Sequence, residues 1–191
     1  MKISPAAVFP TKHGTFKIRV ATDGDFLQHV IVYKGDMPGA QNMPLRVHSE
    51  CLTSEVFNSL RCDCNEQLES AMNYFETEGR GVLIYLRQEG RGIGLFNKIH
   101  AYALQDGGMD TVEANEHLGL PVDARTYELA AEIIRFLGIE SVRLLTNNPV
   151  KIEALRELGI VITDSVPVRV QPNSNNIQYL ETKRKKMRHT V

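Results

Sequence analysis

Apolar and polar positions divide the chain into strands and helices before any single residue stands out. Two short β-rich runs, 15–21 (T-F-K-I-R-V-A) and 27–33 (L-Q-H-V-I-V-Y), flank Gly24 and predict a hairpin near the start. Pro38-Gly39 marks a loop, and residues 44–47 predict a third strand that delivers His48–Cys51 at its end. A short helix is expected after Thr53, with Thr53 as its cap and Glu55 favourable in its first turn. Asp63 or Asn65 can cap the next helix. Its apolar positions Leu68, Ala71, Met72 and Phe75 keep the i, i+3, i+4, i+7 spacing until Gly79 stops it.

Residues 81–86 (G-V-L-I-Y-L) form a continuous apolar run, as in a strand buried on both faces. R-Q-E-G-R-G-I-G (87–94) follows, then a helical stretch with Leu95, Ile99, Tyr102 and Ala103 on one side. Residues 106–124 read as loop. A helix is expected over 125–137, closed by Gly138, then a strand over 141–145 and a turn at T-N-N-P (146–149). Pro149 opens a helix over 149–158, where its missing N–H costs nothing, and Gly159 ends it. Residues 160–163 predict another strand of the buried type. From about residue 167 the chain turns polar and ends in a basic tail, T-K-R-K-K-M-R-H-T-V. No repeat and no linker is visible. The expectation is one α/β domain over 1–191, with a mixed sheet, an antiparallel N-terminal portion and flanking helices, and with 167–191 as a polar C-terminal extension.

Composition narrows the class. At 191 residues the chain can bury a full core. It is 42% hydrophobic and 24% charged with a net charge of -1, a balance that argues against a protein built to coat nucleic acid. The terminal K-R-K-K reads as a solvated end. No apolar run approaches the roughly 20 residues needed to span a bilayer, and M-K-I-S-P-A-A-V-F-P lacks a signal-peptide core. Neither a membrane nor a nucleic-acid partner is expected, and the location expected is cytoplasmic.

The three cysteines, Cys51, Cys62 and Cys64, change the picture most. Their odd number argues against a disulfide framework, and a bridge from Cys62 to Cys64 would close a small, strained ring. Three thiolates spaced C-x10-C-x-C would leave a tetrahedral Zn²⁺ one position short, as a catalytic site with a place for water requires. A structural zinc would want a fourth ligand, which His48 could supply. Three free thiols without metal are the bland alternative. The other histidines, His13, His29, His100, His117 and His189, have no ligand spacing.

Three further constellations stand out. Glu89-Gly90-Arg91-Gly92-Ile93-Gly94, set between strand and helix, suits an anion through backbone N–H groups, with Arg87 and Arg91 as guanidinium forks. A plain strand-to-helix turn is the competing reading. It is a near miss of a dinucleotide fingerprint, since Leu95 stands where that motif's third glycine belongs. Arg143–Lys151 places Thr146, Asn147, Asn148 and Lys151 at a strand end and helix start, where open α/β sheets bind ligands. The alternative is a capping Asn148 and a solvated Lys151. Asp123 and Arg125 lie two apart at a loop–helix junction, with a capping Asp and an exposed Arg as the alternative.

Six collinear blocks resemble the GTP cyclohydrolase II family: R-V-H-S-E-C-L-T (46–53), S-L-R-C-D-C (59–64), R-Q-E-G-R-G-I-G-L (87–95), N-K-I-x-A-Y-A-L-Q-D (97–106), D-T-V-E-A-N (110–115) and R-L-L-T-N-N-P-x-K (143–151). The resemblance covers the chain from about residue 9 to about 187. It implies opening of the imidazole ring of GTP, with release of formate and pyrophosphate, to give 2,5-diamino-6-(5-phosphoribosylamino)pyrimidin-4(3H)-one, the first step of riboflavin biosynthesis. Cys51, Cys62 and Cys64 match the family's ligands to one catalytic Zn²⁺ per chain. Asp123 matches its proton acceptor, Arg125 its proposed nucleophile towards the α-phosphate, and Tyr102 its active-site tyrosine. GTP contacts fall on Arg46, Val47, His48, Ser49, Glu50, Gln67, Glu89, Gly90, Arg91, Thr111, Thr146 and Lys151. His48 thereby moves from candidate metal ligand to substrate contact. Mg²⁺ accompanies the triphosphate, and a homodimer is expected. Glu89 or Gln67 is expected to accept from guanine N1–H and N2–H₂.

The chain departs from the family at three places. Ser54 and Asn65 stand where glycines are usual, and Arg188 where Gly is often found. Asn65 can adopt a left-handed backbone or cap the helix, so zinc binding is expected to survive. Two competitors remain: a paralogue that stops at the formamidopyrimidine, and a zinc-stabilised nucleotide-binding module without turnover. The family's formamide-retaining members differ at the Tyr102 position, and a binding module needs neither Asp123 nor Arg125.

Overall fold

The computed structural model describes residues 1–22, 24, 27–177, 180, 181 and 184. Arg188 and most of the basic tail lie outside the described residues. The chain forms two compact units. The first takes Met1–His48, Leu68–Arg87 and Tyr127–Val168, and the second Ser49–Gln67, Gln88–Thr126 and Arg169–Val191. The units interleave along the sequence, so no linker shows in it.

The strands are β1 (Lys2–Ile3), β2 (Ala7–Thr11), β3 (Gly14–Thr22), β4 (Gln28–Lys34), β5 (Met43–Ser49), β6 (Gly81–Leu86), β7 (Val142–Leu145) and β8 (Ile162–Val166). The helices are α1 (Leu52–Glu55), α2 (Cys64–Glu78), α3 (Gly94–Asp106), α4 (Thr111–His117), α5 (Glu128–Phe136) and α6 (Pro149–Glu157).

In the first unit one sheet runs β1-β3-β4-β6-β5-β7-β8, with β2 also on β3. Pairings among β1, β2, β3, β4 and β6 are antiparallel, and β5/β7 and β7/β8 are parallel. The expected α/β fold with a mixed sheet and an antiparallel N-terminal portion is present. Side-chain alternation builds a core on each face. Ile31, Tyr33, Val82, Ile84 and Leu86 pack with Ala130, Ile133 and Ile134 of α5 and Leu155 of α6. Val32 and Leu83 point the other way, into Ala71, Met72 and Phe75 of α2. Phe75 is fully buried, which stabilises the fold by about 1.5–3 kcal/mol. Its ring lies so close to Gly81 that a Cβ there would stand 2.1 Å from it, which accounts for the glycine that opens β6.

The structure departs from the sequence expectation at five places and adds two strands. Thr53 lies inside α1, whose N-cap is Cys51, because the chain turns at the cysteine. Residues 106–124 are not all loop: Asp110 and Glu113 form a full capping box that starts α4. The helix predicted over 125–137 is shorter and begins at Glu128, because 123–126 are held by side-chain hydrogen bonds described below. Residues 160–163 are not a doubly buried strand. β8 begins at Ile162 and ends the sheet order, with Ile160 and Ile162 buried and Val161 exposed. Of the apolar side predicted on α3, Leu95, Ile99 and Ala103 are exposed and Tyr102 is half-buried. α3 instead directs Lys98 at Cys51, as shown below, and buries Ala101. β1 and β2 are additions, and Pro10 within β2 had masked its strand signal.

The second unit holds α1, the start of α2, a 3₁₀ turn at Glu89–Gly92, α3 and α4, together with the cysteines and the loop that carries Asp123.

Candidate active site around a three-cysteine cluster

Cys51 caps α1, Cys62 lies in the following loop, and Cys64 opens α2. Their ligand atoms all lie within 4.8 Å of one another, and among the described residues this group holds no fourth His, Cys, Asp or Glu. The Sγ atoms of Cys51 and Cys62 are 3.6 Å apart, well beyond a disulfide of about 2.05 Å. Two thiolates each about 2.3 Å from a tetrahedral zinc would stand about 3.8 Å apart. The three free thiols therefore fit a metal such as zinc. Hydrogen bonds from Cys62, then Cys64, hold the Cys51 thiol far below the ordinary thiol range, against the effect of burial and with help from the Lys98 charge. The contact with Cys51 pushes Cys62 up, and those with Cys51 and Cys62 push Cys64 up, so a cation bound there would displace protons.

Lys98 is a residue that the sequence reading missed. Its ammonium donates to Cys51 Sγ at 3.2 Å, Thr53 Oγ1 at 2.9 Å and Glu89 Oε1 at 2.8 Å. Burial works against that charge, but Cys51, Tyr102 and Glu89 outweigh it and raise the Lys98 pKa. Its only sequence signal was its place in the N-K-I-x-A-Y block. Glu89, buried beside it, also accepts the Leu52 N–H at 2.6 Å and the Gly90 N–H at 2.8 Å. Both its oxygens thus receive donors from the protein, tying the start of α1 to the 3₁₀ turn. Tyr102 lies with its ring 5.7 Å from the Lys98 ammonium and 4.8 Å from the Arg61 guanidinium, and Arg61 also pairs with Asp106 at 2.5 Å. Burial, partly offset by Lys98, leaves the Tyr102 phenol pushed up to about 12, so it keeps its proton at neutral pH.

The 3₁₀ turn reaches the second pair of candidates. Gly90 and Arg91 both take left-handed backbones, φ 62° and 60°, which a non-glycine adopts where surrounding structure enforces it. Here the enforcement is visible, since the Arg91 carbonyl accepts the Ala124 N–H at 2.9 Å. A Cβ on Gly92 would stand 2.8 Å from the Ala124 carbonyl oxygen. Asp123 accepts from Arg125 Nε at 2.8 Å and from the Arg125 backbone N–H at 3.1 Å, and pairs with the terminal guanidinium nitrogen. Burial raises the Asp123 pKa, but Arg125 and then Arg91 outweigh it and hold the carboxyl below its ordinary value. Gln88, also unforeseen, accepts the Thr126 N–H at 3.3 Å and donates to Ser49 Oγ at 2.9 Å, joining this loop to the segment of Ser49 and Glu50 ahead of Cys51. Gln67, in the first turn of α2, donates to Asp63. Thr111 is the first residue of α4.

The remaining candidates belong to the first unit, at the C-terminal ends of the parallel strands β5 and β7. Arg46 donates to the Leu145 carbonyl at 3.1 Å and to His48 Nδ1 at 3.1 Å, and His48 stacks on Tyr85 at 5.7 Å. Lys151 donates to the Val47 carbonyl at 2.6 Å, with its ammonium 5.8 Å from the Tyr127 ring. Thr146 accepts the Asn148 N–H at 3.1 Å, while Asn148 caps α6 through the Val150 N–H. The capping reading of Asn148 is correct, but Lys151 is 5% exposed and no solvated residue.

The family model described as GTP cyclohydrolase II matches residues 2–167. The GTP cyclohydrolase-2 of Picrophilus torridus is 49% identical over 183 residues, 96% of this chain and 95% of that protein. The GTP cyclohydrolase-2 of Neisseria meningitidis serogroup C is 51% identical over 182 residues, 95% and 92% of the two chains. The riboflavin biosynthesis protein RibBA of Bacillus mycoides is 50% identical over 183 residues, 95% of this chain and 46% of that one. A match over most of the chain, at about half identity and with the three thiols brought together, places this protein in the GTP cyclohydrolase II family of enzymes.

Proposed function

We propose that residues 1–191 form one catalytic domain, a zinc-dependent hydrolase that opens the imidazole ring of GTP. C8 leaves as formate and the β- and γ-phosphates as pyrophosphate, giving 2,5-diamino-6-(5-phosphoribosylamino)pyrimidin-4(3H)-one for riboflavin biosynthesis. One observation carries this reading. The 3₁₀ turn at Glu89–Gly92 joins the cysteine cluster, through Glu89 and Lys98, to the Asp123–Arg125 pair, through Arg91 and Gly92. A binding module without turnover has no need of such a junction.

Cys51, Cys62 and Cys64 would hold the zinc. When bound, the metal supplies a Lewis acid that activates water for hydrolysis at C8. The protein's own groups account for the rest. Tyr102, which keeps its proton, offers an O–H donor to the opening base. Asp123 stays ionised and is the proton acceptor. Arg91 and Arg125 present guanidinium charge to the phosphates, and Mg²⁺ accompanies the triphosphate. Arg46, Val47, His48, Thr146 and Lys151, with Ser49, Glu50, Gln67, Glu89, Gly90 and Thr111, are assigned to GTP. Both Glu89 oxygens already accept protein donors, so Gln67 is the better candidate to read guanine. Purified protein given GTP and Mg²⁺ should release formate and pyrophosphate in equal amounts. Pyrophosphate without formate would point to the formamidopyrimidine product instead.

The homodimer is part of the same proposal. Val56, Phe57, Leu60, Phe96 and Ile99 are exposed in the second unit, and an interface between two copies would cover apolar side chains of this kind. Sedimentation velocity should give a dimer at micromolar concentration, and a monomer there would reject it.

A further inference from the structure

Lys98 is itself assigned to neither substrate nor metal, yet it is bonded to the first cysteine. Its side chain is 11% exposed and spends its three donors on Cys51 Sγ, Thr53 Oγ1 and Glu89 Oε1. An ammonium has three N–H bonds, and each here has a protein acceptor at 3.2 Å or less. The two acceptors besides the sulfur are fixed by their own elements. Thr53 is inside α1, and Glu89 is held by the Leu52 and Gly90 N–H groups. The ammonium is therefore aimed at the sulfur by a preformed cradle and has no donor left for substrate.

We infer that Lys98 is a positioning residue of the metal centre, which fixes Cys51 Sγ and withdraws electron density from it, so that a metal held by the three thiolates binds tightly and remains strongly electron-accepting. The chemistry follows from charge. Three thiolates and a divalent cation sum to one net negative charge, which a buried site tolerates poorly. A cationic hydrogen bond to one sulfur offsets that charge and weakens the sulfur's donation to the metal. Lys98 acts through Cys51 and touches neither GTP nor the reacting atoms. The inference rests on the zinc reading above.

The test reads the metal directly. Zinc-loaded wild type, Lys98→Met, Lys98→Arg and Cys62→Ser are titrated with a chromophoric zinc chelator. The cobalt-substituted forms are compared by their sulfur-to-cobalt charge-transfer band. Lys98→Met should lose about 10–100-fold in zinc affinity, the usual cost of removing an outer partner of a metal ligand, and its band should shift to lower energy. Lys98→Arg, which keeps the charge, should recover part of both. Thr53→Val keeps the ammonium but removes one anchor, and decides the matter by the same readouts, with smaller changes, if Lys98→Met does not fold. Wild-type affinity and an unshifted band in the folded variants would overturn the inference while leaving zinc at the cysteines intact. A wild type that holds no more zinc than Cys62→Ser would overturn both.

Discussion

Asp123 accepts three hydrogen bonds from Arg125, two residues on: the backbone N–H and Nε on one oxygen, and a terminal guanidinium nitrogen on the other. The sequence left open whether this pair faces one way, since an i, i+2 pair in a helix does not. It does so because residues 123–126 precede α5 and form a turn closed by the carboxylate. A guanidinium held through Nε and a terminal nitrogen by an ionised carboxylate is a delocalised cation with no lone pair to offer, and so a poor nucleophile.

Arg125 is therefore expected to act as a charge clamp. GTP labelled at the α-phosphate should leave no label on protein denatured without acid. Arg125→Lys, which keeps the charge and loses the fork, should lower turnover about 10–100-fold, the equivalent of about 1.5–3 kcal/mol of charge-assisted hydrogen bonding. Label retained on the wild type and lost in Arg125→Lys would establish the covalent role instead. The same pair sets a pH dependence. The Asp123 pKa is depressed in the folded protein, so the pair's contribution to stability is complete above the ordinary aspartate value of about 3.9. It fades as pH falls from there through the lower folded value. Asp123→Asn should lack that acid-side loss in urea melts.

Two departures from the family pattern meet in space. Ser54 is buried, and its Oγ accepts the N–H of Asn65 at 3.1 Å. Asn65 has no left-handed backbone; it lies in the first turn of α2, where N–H groups lack intrahelical acceptors. Ser54→Gly should remove that acceptor and cost about 1 kcal/mol, seen as a melting temperature lower by roughly 2–4 °C for a chain of this size. An unchanged melting temperature would mean that water replaces the hydroxyl without cost.

What the sequence made legible was whatever local period and local chemistry encode. The hairpin of β3 and β4, the doubly buried β6 and the apolar stripe of α2 follow from side-chain spacing alone, and Pro149 with Asn148 opens α6 as written. The cysteine spacing announced a cluster. What stayed hidden depends on contacts far apart in the chain. Lys98 meets Cys51 across 47 positions, and Gln88 meets Thr126 across 38; neither leaves a trace in periodicity. The start of α4 was legible and overlooked, since D-T-V-E is a capping box in plain letters. α3 misled for a physical reason: Leu95, Ile99 and Ala103 remain at the surface, while a lysine on the same helix turns inward.

The central claim is that formate release requires metal held by Cys51, Cys62 and Cys64. The most direct measurement is formate from GTP by Cys62→Ser beside zinc-loaded and chelator-stripped wild type, with Mg²⁺ present throughout. The account predicts formate from the zinc-loaded wild type alone, and its return to the stripped wild type when zinc is restored. Formate release by stripped wild type or by Cys62→Ser at the zinc-loaded rate would contradict it.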